Sequence, residues 1–158
     1  MRAKILILGV IATILAACNK DKFTTKPQLT FESFNTDVVA NGSDLIITLK
    51  YTDKEGDIQD SIYVERTALN CTDTLKAFYT IPSNVPKMRN SEGEIVLSYS
   101  YGSPNISYPP IGDPKCGLND PPGGTKTNDT CVYRFALKDK AGNTSDTITT
   151  PQFTLVKR

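Results

Sequence analysis

Histidine is absent from all 158 residues, and so is tryptophan. Without an imidazole, the chain has no side chain whose ordinary pKa lies near neutrality. That excludes histidine-based acid–base catalysis, Ser-His and Cys-His nucleophile pairs, and most zinc-enzyme sites. Without an indole, any stacking against a sugar or a base falls to the seven Tyr and six Phe. Surplus positive charge is missing too, with 18 Lys and Arg against 17 Asp and Glu. Nucleic-acid binding depends on a basic field, so no nucleic-acid partner is expected. No stretch after residue 18 has the period of an amphipathic helix, and there is no internal repeat.

What the chain does have begins at its start. Met1-Arg2-Ala3-Lys4 is basic, Ile5 to Leu15 is an unbroken apolar run of Ile, Leu, Val, Ala, Gly and Thr, and Ala16-Ala17 leads into Cys18. The run is too short for a membrane-spanning helix, which needs about 20 apolar residues, and its order is that of a secretory signal. Leu15-Ala16-Ala17-Cys18 resembles the lipobox of bacterial lipoproteins. The resemblance implies a signal peptide over 1–17 that is removed, and a Cys18 that carries the acyl chains, palmitate among them, as the mature N-terminus. An ordinary cut near Ala17 and an uncleaved anchor are the alternatives. The membrane, through this lipid anchor, is the implied partner. By the sorting rule of proteobacterial lipoproteins, the resemblance with Asn19 rather than Asp after the cysteine implies the outer membrane, on either its periplasmic or its surface face. Loss of Arg2 and Lys4 leaves 16 basic against 17 acidic residues, close to neutral. The remaining chain, about 140 residues, is enough for one domain with a true core.

Residues 18–28 read as a polar, lipidated tether and 29–158 as the domain. Leu45 to Tyr51 alternates, with Leu45, Ile47, Leu49 and Tyr51 on one face, as a half-buried strand does. Ser61–Arg66, Leu75–Ile81, Glu94–Tyr101 and Cys131–Leu137 are further strands. A last strand runs over Asp146–Val156, where Pro151 marks a bulge or an edge. Between Gly102 and Gly124 fall six of the ten prolines and five of the ten glycines, so 102–130 reads as one long loop. About seven short strands with no helix predict an all-β, antiparallel sandwich.

Two turns add to this. Tyr133-Arg-Phe-Ala-Leu-Lys-Asp-Lys-Ala-Gly-Asn-Thr-Ser-Asp-Thr-Ile148 resembles the closing hairpin of bacterial immunoglobulin-like domains. Tyr51-Thr-Asp-Lys-Glu-Gly-Asp-Ile58 resembles the loop between the second and third strands of similar domains on surface lipoproteins. The resemblance implies a single immunoglobulin-like sandwich. It departs from the antibody pattern, having no tryptophan and no evident cysteine pair between the second and sixth strands. A fold of this kind hosts many functions.

With Cys18 acylated, Cys71, Cys116 and Cys131 remain, and an exported compartment permits one disulfide among them. Cys116–Cys131 is the expected pair because it closes a 15-residue stretch of otherwise irregular chain. Closing it would stabilise by about 3 kcal/mol. Pairing of Cys71 with either partner is the alternative, because spacing does not fix connectivity.

Asp53, Glu55, Asp57 and Asp60 crowd one turn, and hard oxygen ligands so spaced suit Ca²⁺ outside the cytoplasm. Asp139 or Asn143 of the closing hairpin would complete the shell, as an immunoglobulin-like sandwich sets both turns at one end. A plain solvated turn is the competing reading, because Asp and Gly are ordinary turn residues. Two carboxylates also invite a glycosidase reading, but nothing sets them around a cleft. The long loop carries Tyr108, near Tyr99, Tyr101, Asn105, Asn119 and Asp120, and loops of this length are commonly functional. The expectation is therefore a non-catalytic, lipid-anchored binding or scaffolding module, with an envelope protein or a glycan as partner. An accessory carbohydrate-binding lipoprotein using Tyr108 is the alternative, with Ca²⁺ the one cofactor to consider.

Overall fold

The computed structural model describes residues 22–102, 116 and 127–157. The signal peptide, Cys18 and Tyr108 lie outside the described residues. Among the described residues, nine strand segments follow one another: β1 (Gln28–Phe34), β2 (Val38–Val39), β3 (Asp44–Asp53), β4 (Ser61–Ala68), β5 (Thr74–Thr80), β6 (Ser91–Ser100), β7 (Asp129–Lys138), β8 (Ile148–Thr149) and β9 (Phe153–Leu155). One sheet has the order β1-β3-β6; the other runs β2-β9-β7-β4-β5, with β8 also on β7. The fold is an all-β, immunoglobulin-like sandwich.

Alternation decides which side of each strand is buried. Leu45, Ile47 and Leu49 of β3 are fully buried, as are Phe135 and Leu137 of β7. Ile62 and Val64 of β4 join the same core. Each such side chain contributes about 1.5–3 kcal/mol by leaving water. Aromatic rings close the gap between the sheets: Tyr99 of β6 stacks on Tyr133 of β7 at 5.4 Å, and Phe34 of β1 meets Phe153 of β9 at 5.7 Å. Tyr99 and Tyr101 are thus core residues, and neither ring is offered to a ligand.

More segments are found than alternation predicts, for two reasons. Two segments precede the Leu45–Tyr51 strand: β1 pairs antiparallel with β3, while β2 lies in the other sheet and pairs parallel with β9. Pro151, which has no N–H for a ladder, interrupts the closing run between β8 and β9. The sandwich is therefore antiparallel except at β2–β9.

The expected tether is in part docked. Thr52 Oγ1 donates to the Lys22 carbonyl at 3.1 Å, and Lys54 N donates to Thr24 O at 3.1 Å. Lys22 pairs with Glu92, and Lys26 with Asp146 at 2.6 Å. From Lys22 onward, these bonds fix the segment to the sandwich.

The disulfide joins Cys71 to Cys116, and Cys131 is free and buried, which corrects the expected Cys116–Cys131 pair. Cys131 occupies an inward position of β7, opposite Ala68 of β4, so its thiol points into the core. Cys71 lies in the β4–β5 turn, beside Asn70, whose side chain bonds Thr130 N and Asn128 O. Cys116 N donates to Asp129 Oδ1. β4–β7 pairing therefore brings the turn to Cys116, a contact 45 residues apart in sequence. Closing a loop of that length is worth about 4 kcal/mol in the chain-entropy account.

Arg66 also faces inward. It is buried, ion-paired with Asp73, and its Nη1 lies 3.9 Å from the Cys131 sulfur. Burial pushes the Cys131 thiol up to about 11, against the opposing pull of Arg66. Replacing Asp73 with Ala would leave a guanidinium buried without its counter-charge. The expected loss is about 3–5 kcal/mol in urea unfolding, and a loss under 1 kcal/mol would contradict this account. For the thiol, native Cys18→Ser protein should resist alkylation at pH 8. Denaturation without reductant should then expose one thiol, mapping by mass spectrometry to Cys131; labelling at Cys71 would reinstate the 116–131 bridge.

Candidate metal centre

β3 ends on Asp53, and the chain then reverses through Lys54-Glu55-Gly56-Asp57. The Asp53 carboxylate organises that reversal by accepting from the N–H groups of Gly56 and Asp57. Gly56 has φ +69°, and a Cβ there would lie 1.9 Å from the carbonyl oxygen of Met88. Only glycine allows this close approach. Gln59 ties the same turn down, with its Nε2 donating to Val85 O at 2.9 Å and Gly56 O at 3.3 Å.

The second element is the hairpin after β7. Asn143 donates to Asp139 from its backbone N at 2.7 Å and from its side-chain Nδ2 at 2.8 Å, which closes the turn on both Asp139 oxygens. Lys140 N then donates to Asp57 O at 2.9 Å and joins the two turns.

Together these bonds gather three carboxylates. One oxygen from each of Asp53, Asp57 and Asp139 lies within 4.8 Å of the others. The three residues are 0%, 6% and 1% exposed, so the solvated-turn reading does not hold. Asp53 Oδ1, Asp57 Oδ1 and Glu55 Oε2 are buried and accept no hydrogen bond. The other Glu55 oxygen accepts from Thr25 Oγ1 at 3.2 Å, which brings the docked entry segment to the site. No Lys or Arg among the described residues forms an ion pair with any of these four acids. Burial raises the Asp53 pKa; the Asp57 and Gly56 amides oppose that rise, and the charges of Asp57 and Glu55 add to it.

Of the residues expected here, Asp53, Asp57 and Asp139 meet, and Glu55 adjoins them. Asp60 does not: its carboxylate turns to Lys138 Nζ at 3.5 Å, and its backbone bonds Ile58 and Ile81. Sequence reasoning missed the contribution of Thr24 and Thr25, which no local pattern signals. It also missed the Gly56–Met88 contact, for which the glycine itself was the available sign. The three aspartates are too buried to straddle an exposed glycosidic bond, as an acid–base pair must. A second cluster, Cys71, Cys116 and Asp129, is the disulfide and its neighbour, with both sulfurs already bonded.

No protein-family model matches the chain, and no curated protein matches it. Among solved structures, it is similar to a β-glucosidase from Listeria innocua in complex with gluconolactone, at 11% identity and a TM-score of 0.44. That likeness covers 82% of this chain and 16% of the β-glucosidase, and it bears on neither activity nor ligand.

Gly56→Ala should destabilise the protein by about 2 kcal/mol or more, through the left-handed φ and the Met88 clash together. Gly142→Ala is the comparison: its φ is +92°, but its Cβ would enter open space. The smaller loss is expected there, and equal losses in thermal unfolding would contradict the close-approach account.

Proposed function

We propose that the chain is a lipid-anchored bacterial lipoprotein whose sandwich acts as a non-catalytic binding or scaffolding module at the outer membrane. One observation carries this reading: Leu15-Ala16-Ala17-Cys18 stands only four residues before Lys22, where the chain is already bonded to the sandwich. Four residues of extended chain span at most about 14 Å. An acylated Cys18 would therefore hold the acidic-turn end of the domain against the bilayer surface. Multiple acyl chains make such an anchor stable, because two lipid signals already suffice. A short link suits a module that presents its far end and flanks to an envelope protein or a glycan close to the membrane. The carbohydrate-binding alternative now rests on Tyr108, because Tyr99 and Tyr101 are committed to the core.

Cys18→Ser should remove the lipid mass and move the protein from the membrane fraction to the soluble one. Its persistence in the membrane would overturn the anchor. Cross-linking in intact cells should then recover one reproducible, near-stoichiometric envelope partner for the anchored form. Recovery of the anchored protein alone would count against a protein scaffold and favour a glycan.

A further inference from the structure

We propose that Asp53, Asp57 and Asp139, with Glu55 beside them, form a binding site for one divalent cation of the Ca²⁺ class. The cluster alone would not carry this. The independent observation is that Asp53 Oδ1 and Asp57 Oδ1 are buried and unpartnered. Most of the turn's other hydrogen-bonding groups have been given a partner: Asp53 Oδ2, both Asp139 oxygens, the Asp57 carbonyl and one Glu55 oxygen. Buried polar atoms are rarely left without a partner, and a buried carboxylate oxygen without one is costly. Here such oxygens occur on adjacent acids of like charge, with no Lys or Arg among the described residues ion-paired to them. A cation resolves both costs at once.

The donor set selects the class of ion. Carboxylate oxygens from several segments are hard ligands, and neither an imidazole nor a cysteine sulfur is among them to favour a softer metal. Mg²⁺ demands near-ideal octahedral geometry and keeps several waters, whereas Ca²⁺ accepts an irregular cage of protein oxygens.

Position gives the ion its consequence. Asp53 ends a strand of the three-stranded sheet and Asp139 follows a strand of the other, so the ion would bridge the two sheets at one end. Through Glu55–Thr25 and Lys54–Thr24 the same turn holds the entry segment. A bound cation would therefore stiffen both the sandwich end and the chain leading into it. This inference does not depend on the lipid anchor and stands or falls separately from it.

The test uses full-length protein stripped with a chelator, then titrated with CaCl₂ by calorimetry and followed by thermal unfolding. One Ca²⁺ per chain is expected, with a rise of about 5 °C or more in Tm at saturating ion and slower tryptic cleavage after Lys54. Asp57→Asn should weaken binding at least tenfold. Its metal-free Tm should match or exceed that of the parent, because it removes a like charge without removing a hydrogen bond. That comparison separates loss of the site from loss of the fold. Asp60→Asn, outside the cluster, should bind as the parent does. An absence of binding heat and of any Tm shift at 5 mM Ca²⁺ would overturn the proposal. So would equal stabilisation by Mg²⁺, or unchanged affinity in Asp57→Asn.

Discussion

Tyr133 sits at the point where the two sheets meet. Its ring stacks on Tyr99 from the opposite sheet at 5.4 Å, and on Phe153 and Phe135 of its own sheet at 5.2 and 5.6 Å. Stacked rings of this kind bury large apolar area and also constrain the angle at which strands approach. With β7 held in this way, the strands beside it have little freedom in register. β4 pairs along its whole length with β7, from Ser61↔Lys138 to Ala68↔Cys131. A slip of one residue would turn Ile62 and Val64 outward and drive Tyr63 and Glu65 inward. The ends of β3 and β7, and the turns that leave them, inherit their places from this packing.

Two polar devices sit at opposite ends of β4, and they are handled differently. At one end Arg66 and Asp73 neutralise each other inside the sheet, next to the disulfide and the free thiol. At the other, three aspartates and a glutamate are brought together, and no Lys or Arg among the described residues forms an ion pair with them. Burial of charge is tolerated when a counter-charge accompanies it, as at Arg66. At the acidic end the same physics is what favours the proposed cation.

The entry segment links that end to the membrane reading. Lys22, Thr24, Thr25 and Lys26 each bond to the sandwich, three of them at or near the acidic turn. Under the lipoprotein reading, the entry segment would keep the acidic-turn end of the domain within four residues of the acylated Cys18.

Strand positions were largely legible in the sequence because alternation is a local property. Leu45, Ile47 and Leu49 declare an inward face within seven residues, and Pro151 marks a break because it lacks an N–H. The acidic turn was legible as a group of acids for the same reason. Whether those acids were solvated was not, because their burial depends on the Asp139 hairpin, more than 80 residues away. The cysteines show the same limit. Loop length favoured Cys116–Cys131, but the inward pleat of β7 assigned Cys131 to the core, and β4–β7 pairing carried Cys71 to Cys116. Residue order alone determined strand and turn, each set by neighbours within a few positions. Tertiary structure decided which polar groups lost their water and which found a partner, because both depend on contacts that span the chain.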